Sequence, residues 1–307
     1  MVNYIPMREI SWKEYWEFVK QHKSVIIEDV KVELKADRWE ISSYAPPKEY
    51  KLERDTVWSF PDRGDWATHK GDYRGNWSPY IPRNLILRYT KPEDWVLDQM
   101  CGSGTTLVEC KLLGRNAIGV DINPDAVMVT LDRLNFHYKP LDEGWKEPTI
   151  KVYVGDARKL DKINDESIDL IATHPPYASI IPYTKGKVQG DISTLPLPEY
   201  LKEMRKIAEE CWRVLKPGKH CSLLIGDTRH GKHYVPIAFR VMQTFLDVGF
   251  ILKEDIIKQQ WKMKTTREVW LKGQRDFYLI AHEHLFVFRK PEKDENLSNY
   301  KHSMKWW

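Results

Sequence analysis

His174-Pro175-Pro176-Tyr177 combines in four residues a titratable ring, two fixed backbone positions and an aromatic face. Consecutive prolines hold the backbone extended and remove competing N–H donors, so that a carbonyl can be aimed at a substrate. The tyrosine offers a face on which a base drawn out of its stack can lie, a contact worth about 1 to 3 kcal/mol. If the ring alone acts, Tyr177→Phe keeps most of the activity. A neutral imidazole at position 174 can accept a hydrogen bond from an amine or donate one to a ring nitrogen. The set suits a planar ring bearing an exocyclic amine. The delocalised lone pair of such an amine becomes nucleophilic only when hydrogen bonds drawn from its protons favour a tetrahedral nitrogen. The same residues would also make a rigid turn with an incidental histidine.

A second cluster, Asp98-Gln99-Met100-Cys101-Gly102-Ser103-Gly104-Thr105-Thr106, has the small residues that let a backbone approach a ligand closely. Two later acids narrow the ligand: Asp121 before Ile122, and Asp156 before Ala157, each closing a short apolar run. A carboxylate at the first position can accept from ribose hydroxyls, and one at the second from an adenine amino group. That arrangement serves an adenosine ligand without a pyrophosphate. A nicotinamide site would want GxGxxG, and Leu107 stands where the third glycine belongs. Tight strand-helix packing and turn capping are the other uses of these glycines and acids.

Residues 258–278 carry six bases, Lys258, Lys262, Lys264, Arg267, Lys272 and Arg275, against Glu268 and Asp276. Trp261, Trp270, Phe277 and Tyr278 interleave with them. Basic side chains track phosphates and aromatic rings stack on unpaired bases. A solvated hairpin whose rings cap the core is the alternative. The loop 180–195, with Tyr183, Lys185 and Lys187 around Gly186 and Gly190, is expected to be a lid over the base or else a plain surface loop.

Each cluster must sit at the end of a strand. Apolar runs predict strands at 96–98, 117–122, 150–154, 168–172, 221–225, 251–257 and 284–288, and helices at 105–113, 197–215 and 236–248. Asn123 is a candidate N-cap with Pro124 in the first helical position, and Lys216-Pro217-Gly218 is expected to end the long helix. This alternation predicts an α/β fold, a doubly wound and mostly parallel seven-stranded sheet that binds ligands at the carboxyl ends of its strands. Residues 1–60, rich in Trp and charge, read as a small accessory region for substrate recognition, 61–290 as the catalytic domain and 291–307 as a polar tail. Trp12, Tyr15 and Trp16 fall on a helical spacing that favours core over binding surface.

The 48 Lys and Arg nearly balance 44 Asp and Glu, a mild lean toward polyanions and not the charge of a protein that coats nucleic acid indiscriminately. Cys101, Cys110, Cys211 and Cys221 form no metal-like spacing and read as reduced thiols. With no signal pattern and no run near the roughly 20 apolar residues that span a bilayer, a soluble cytoplasmic protein without metal or membrane partner is expected.

Leu97-Asp98-x-x-x-Gly-Ser-Gly-Thr-Thr, Leu112-Leu113-Gly114-Arg115, Gly119-Val120-Asp121-Ile122-Asn123 and the Pro-Pro-Tyr motif together resemble the amino-methyltransferases that modify cytosine N4 or adenine N6 in DNA. The likeness covers roughly residues 60–290. It implies a Rossmann-like class I methyltransferase fold and S-adenosylmethionine as cofactor, with Asp121 on the ribose and Asp156 on the adenine amino group. It also implies that Trp77-Ser78-Pro79-Tyr80-Ile81-Pro82-Arg83 closes over the methionine end, Pro79 among the contacts. Two departures stand out. Asp98-Gln99-Met100 replaces the usual Asp-Pro-Phe, and His174 replaces Ser, Asp or Asn, the last being typical of protein-glutamine methyltransferases.

Family members that read duplex DNA usually carry a target-recognition domain. Only about 70 residues separate the glycine turn from the Pro-Pro motif here. The resemblance therefore favours a nucleic-acid partner that is a shaped RNA, as in the archaeal branch acting on cytidine N4 of ribosomal RNA, over DNA. A binding module that has lost catalysis is a third reading, and His174 alone favours it.

Overall fold

The computed structural model describes residues 4–140, 145–178, 184–261 and 276–304. The chain opens with a strand β1 (Arg8–Glu9), a helix α1 (Trp12–Gln21) and a hairpin of β2 (Ser24–Ile27) and β3 (Val30–Glu33), then β4 (Val57–Trp58) and α2 (Tyr80–Tyr89). Alternation follows: β5 (Trp95–Asp98), α3 (Thr105–Leu113), β6 (Asn116–Asp121), α4 (Pro124–Leu134), β7 (Ile150–Val154), β8 (Ile168–Thr173), α5 (Leu197–Val214) and β9 (Leu215–Ile225). A hairpin of β10 (Thr228–His230) and β11 (His233–Val235), helix α6 (Ile237–Val248), β12 (Ile251–Gln259) and β13 (His282–Arg289) complete it.

All seven expected strands form, in one sheet of order β1-β7-β6-β5-β8-β9-β13-β12-β4. β7, β6, β5, β8 and β9 run parallel, and β13 lies antiparallel between β9 and β12. The fold is Rossmann-like. The sheet has nine strands rather than seven because β1 and β4, from the amino-terminal tract, extend its two edges. At two residues each they are too short to show a hydrophobic period. β9 also starts at Leu215, directly after α5, where a turn was expected at Lys216-Pro217-Gly218. Hydrogen bonds from Gly218 N to the Lys290 carbonyl and from Lys290 N to the Lys219 carbonyl, both 2.9 Å, extend the pairing with β13 through the turn signal.

Strands covered on both faces read as continuous apolar runs, and every residue of β8 is buried. A Cβ on Gly119 of β6 would come 2.6 Å from Leu107 Cδ2. The close strand-helix approach that a third glycine would give at position 107 is thus provided by a glycine on the neighbouring strand.

Two buried carboxylates fasten the amino-terminal tract to the helices. Asp132 on α4 accepts from Lys35 N at 2.6 Å, Tyr15 Oη at 3.0 Å and Trp39 Nε1 at 3.1 Å. Glu109 on α3 takes Trp66 Nε1 at 2.7 Å, with His69 Nε2 and Arg83 Nη1 each at 2.8 Å. A buried carboxylate is costly unless paired and hydrogen-bonded, so removing its partners is strongly unfavourable. Tyr15 of the aromatic stripe is fully buried, as expected of core, while Trp12 stays 44% exposed. Among the described residues no helix is long and apolar enough to cross a membrane.

Candidate active site

The turn after β5 is built on three exchanges with its surroundings. Gly102 and Gly104 hold φ of +53° and +78°, a region that favours glycine. A Cβ on Gly104 would strike Thr130 Cγ2 at 2.8 Å, and one on Gly102 would press Tyr73 at 3.2 Å. Asp98 is buried and accepts from Thr106 Oγ1 at 2.6 Å and Thr173 Oγ1 at 2.8 Å. Burial pushes its carboxyl up to about 6. Asp121, at the end of β6, accepts from Gly102 N and Asn123 N, each at 2.9 Å, and burial likewise raises it to about 6. Asp156 meets Arg158 in a paired contact, Nε to Oδ1 at 2.8 Å and Nη2 to Oδ2 at 2.6 Å, and also takes Arg158 N at 2.9 Å. Asp98, Gly102, Asp121, Asn123 and Asp156 line one cleft of about 870 Å³, open to solvent.

A second cavity of about 1510 Å³ adjoins it, and Gly75, Asn76, Trp77 and His174 line both. His174 stacks on Trp77 with ring centres 5.9 Å apart and planes 21° apart. Its Nε2 lies 2.7 Å from the Tyr177 hydroxyl, which donates to Glu283 Oε1 at 2.8 Å, and Lys258 Nζ donates to Glu283 Oε2 at 2.8 Å. His174 Nδ1 is buried without a hydrogen-bond partner among the described residues. Burial drives the His174 ring down to about 4, a shift that the Glu283 charge opposes and the Lys258 charge assists. Burial would raise Glu283, but the Lys258 ammonium, with His174 and the bonds from Lys258 and Tyr177, outweighs it and holds the carboxyl at about 2. Tyr200 donates to the Pro176 carbonyl at 2.8 Å. Among the described residues nothing donates to the Pro175 carbonyl, the one left to be aimed.

The family model described as DNA methylase, for N6 and N4 methyltransferases, matches residues 9–132 and 168–306. The chain belongs to this family of S-adenosylmethionine-dependent methyltransferases. A second model, the RMKL-like methyltransferase domain, matches residues 85–189. The tRNA (guanine(10)-N2)-dimethyltransferase of Methanocaldococcus jannaschii is 37% identical over 38% of this chain and 33% of its own. The type II methyltransferase M.BglII of Bacillus subtilis is 34% identical over 36% and 29%. The chain therefore spans about a third of the length of these curated relatives. Among solved structures, a SAM-dependent methyltransferase of Methanosarcina mazei aligns with 68% of this chain and 97% of its own at 18% identity and a TM-score of 0.45. A putative DNA modification methylase of Thermus thermophilus, complexed with S-adenosylmethionine, covers 46% and 55% at 23% identity and a TM-score of 0.34.

The residues around the first cleft fit the methylase cofactor. A carboxylate offers about four lone-pair positions. Asp121 accepts from the amides of Gly102 and Asn123 and, only partly buried, faces the cleft with acceptor positions to spare, as a diol would require. Asp156 gives three to Arg158 and has one left, as an amino donor would require.

Of the residues read from the sequence, Asp98, Met100, Cys101, Gly102, Ser103, Thr105, Asp121, Ile122, Asp156 and Ala157 line the cofactor cleft. Thr106 and Gly104 stand behind it as supports. Pro79 lines neither cavity: it is the N-cap of α2 and packs inward, leaving Tyr73, Gly75, Asn76 and Trp77 to face the cleft. His174, Pro175 and Tyr177 line the second cavity, as does Trp261. Lys185 and Lys187 line neither, and Lys185 pairs with Asp29 at 2.5 Å. The described part of their loop reaches the cofactor cleft instead, through Thr184, Gly190, Asp191 and Ile192. Tyr183, Lys262, Lys264 and Arg267 lie outside the described residues. Glu283 escaped the sequence reading, and Lys258 appeared there only as a surface base, because β-pairing alone brings the two together.

Proposed function

We propose that this protein transfers methyl groups to the exocyclic amino nitrogen of a base in structured RNA, with cytosine N4 as the target. The observation that carries the proposal is the meeting of the two cavities at His174 and Trp77. S-adenosylmethionine would supply an electrophilic methyl group from the first cavity and leave as the neutral thioether S-adenosylhomocysteine, while the methylated amine sheds one proton to solvent. His174, kept neutral by its burial, accepts a hydrogen bond from the amine, and the Pro175 carbonyl is placed to take the other. Together they bias the nitrogen toward the tetrahedral form that a nucleophile needs. The Tyr177 ring and Trp77 border the space where a base lies flat.

Exposed Tyr278, 88% accessible, and Trp261, 44% accessible, rim the second cavity beside Arg229. Rings of this kind suit unpaired bases, which supports RNA. Methylation of DNA at cytosine N4 or adenine N6 is the second reading, favoured by the match to the DNA methylase model and the likeness to type II enzymes. Mass spectrometry of nucleosides from RNA and DNA, each incubated with the protein and labelled cofactor, separates them. N4-methylcytidine in RNA is expected. A methylated base in DNA alone would replace this reading with the second.

A further inference from the structure

Lys258 and Glu283 are directly opposed in the register of β12 and β13. Their side chains are 17% and 8% exposed, and they face the second cavity next to the catalytic tetrapeptide. We infer that Glu283, anchored by Lys258, is a positioning residue that fixes the tautomer of His174 through the Tyr177 hydroxyl and leaves Nδ1 as the acceptor offered to the substrate. The last part rests on the function proposed above, whereas the tautomer does not.

The tautomer follows from a count of protons. An ionised carboxylate can only accept. Lys258 Nζ satisfies Oε2 at 2.8 Å, and the group 2.8 Å from Oε1 is the Tyr177 hydroxyl. A phenol has one proton, and here it is spent on Glu283. Toward His174 the phenol oxygen therefore shows lone pairs, and the nitrogen 2.7 Å away, Nε2, must carry the hydrogen. A neutral imidazole with Nε2 protonated has a bare Nδ1, and this is the atom that is buried with no partner among the described residues. The reverse chain would turn the tyrosine proton to His174 and set phenol lone pairs against a buried carboxylate, leaving a charged acceptor unsatisfied.

The surroundings keep each member in place. A Cβ at Gly226 would come 2.8 Å from Tyr177 Cε2, so glycine there admits the tyrosine ring. Trp77 fixes the plane of the imidazole from the other side. Among the described residues the charged and titratable groups bearing on His174 are Glu283 and Lys258 from the β12–β13 pair and Tyr177 from its own loop, and a backbone hydrogen bond with Gly75 favours the protonated ring. With Lys258 spent on Glu283, it is no longer one of the bases available to phosphates. Tyr177→Phe, mild if the ring alone matters, cuts the chain between Glu283 and His174.

Nitrogen NMR of the protein with isotope-labelled histidine tests this without substrate, the His174 signals being assigned by their loss in His174→Asn. At neutral pH the wild type should show Nε2 protonated and Nδ1 bare. In Glu283→Gln the amide can donate to the phenol oxygen, which turns the tyrosine proton toward Nε2 and moves the imidazole proton to Nδ1. Single-turnover methyl transfer should then fall about tenfold or more with cofactor affinity unchanged. Tyr177→Phe should lose the fixed tautomer as well. A wild type protonated at Nδ1 would overturn the inference on the unaltered protein, and so would a Glu283→Gln protein with the wild-type tautomer and rate. The expected spectrum in a protein that methylates neither RNA nor DNA would uphold the tautomer and overturn the substrate.

Discussion

The two cavities that meet at His174 are made in different ways. In the cofactor cleft the carboxylates are settled by turns and side chains at the ends of adjacent parallel strands, with Gly102 19 positions from Asp121 and Thr173 75 from Asp98. Asp121 bonds the amides of Gly102 and Asn123, Asp156 bonds Arg158, and left-handed glycines let the backbone itself form the wall. In the substrate cavity the decisive groups come from segments far apart in the chain: Tyr177 reaches Glu283 across 106 positions, and Trp261 Nε1 reaches Ser59 Oγ at 3.0 Å across 202. The first site is thus carried by backbone geometry at the strand ends, the second by side chains that only the finished sheet brings together. A defect in the first should abolish ligand binding outright, whereas a defect in the second should leave the cofactor in place and change chemistry or affinity for nucleic acid.

The largest effect is expected at Asp121. Asp121→Ala removes the acceptor proposed for the ribose hydroxyls and frees the amides of Gly102 in the glycine turn and Asn123 at the start of α4. With each charged hydrogen bond worth about 1.5 to 3 kcal/mol, cofactor affinity should drop about 100-fold or more in calorimetry. Nucleic-acid affinity should hardly move. Undiminished cofactor binding would take Asp121 out of the site and break the contrast at its firmer end.

His174 probes the junction. Protonation removes its acceptor, and burial places that event at about 4. The single-turnover rate should therefore stay level through the range where histidines ordinarily titrate and fall only as pH drops toward 4. His174→Asn should be slower by about 100-fold and lack that limb. A limb near the ordinary value of 6.5 would show a solvated ring. Stability follows the same linkage: a histidine with its folded pKa below the unfolded one binds fewer protons when folded. Its contribution is complete above 6.5 and drains away as pH falls from there to about 4. In acid-unfolding curves His174→Asn should flatten that interval.

This contrast also explains what the sequence disclosed. The places of Gly102, Gly104, Asp121 and Asp156 are legible because each stands where a strand ends and a turn or helix begins. Asn123, read as an N-cap, does accept from Asp125 N at 3.0 Å, with Pro124 beginning α4. Glu283 stands between His282 and His284, one residue before the apolar run that predicts a strand at 284–288, and Lys258 reads as one more surface base. Pro79 lines neither cavity because Ser78-Pro79 marks the start of α2 at Tyr80, where the proline is buried beneath the helix. Leu107, which breaks the GxGxxG pattern of a nicotinamide site, packs on Gly119 of the facing strand.

Further from the chemistry, Trp261→Ala should weaken nucleic-acid binding by about 1 to 3 kcal/mol and leave cofactor affinity alone. Its ring lines the second cavity, and equal loss in both ligands would mean that the rim supports the whole site. Replacing Lys262, Lys264 and Arg267 together by Ala should flatten the slope of log affinity against log salt by about 2 to 3 if all three touch phosphates. An unchanged slope would confine the nucleic-acid surface to the aromatic rim.

The smallest effect is expected for Lys185→Ala and Lys187→Ala, and it decides to which half their loop belongs. The sequence offers both lysines as part of a lid over the base or else of a plain surface loop. In the structure neither lines a cavity, and the residues of the same loop that do, Thr184, Gly190, Asp191 and Ile192, face the cofactor. Lys185 pairs with Asp29, but the two side chains are 43% and 80% exposed. Exposed pairs are screened by solvent and contribute about 0 to 1 kcal/mol. Both variants should therefore keep cofactor affinity, nucleic-acid affinity and the rate of transfer within about twofold of wild type. A lysine on a phosphate behaves otherwise, since its loss lowers the salt slope by about 1 and weakens binding to every sequence alike. That result for either variant would move the loop from the cofactor half to the substrate half and make it a wall shared by both cavities.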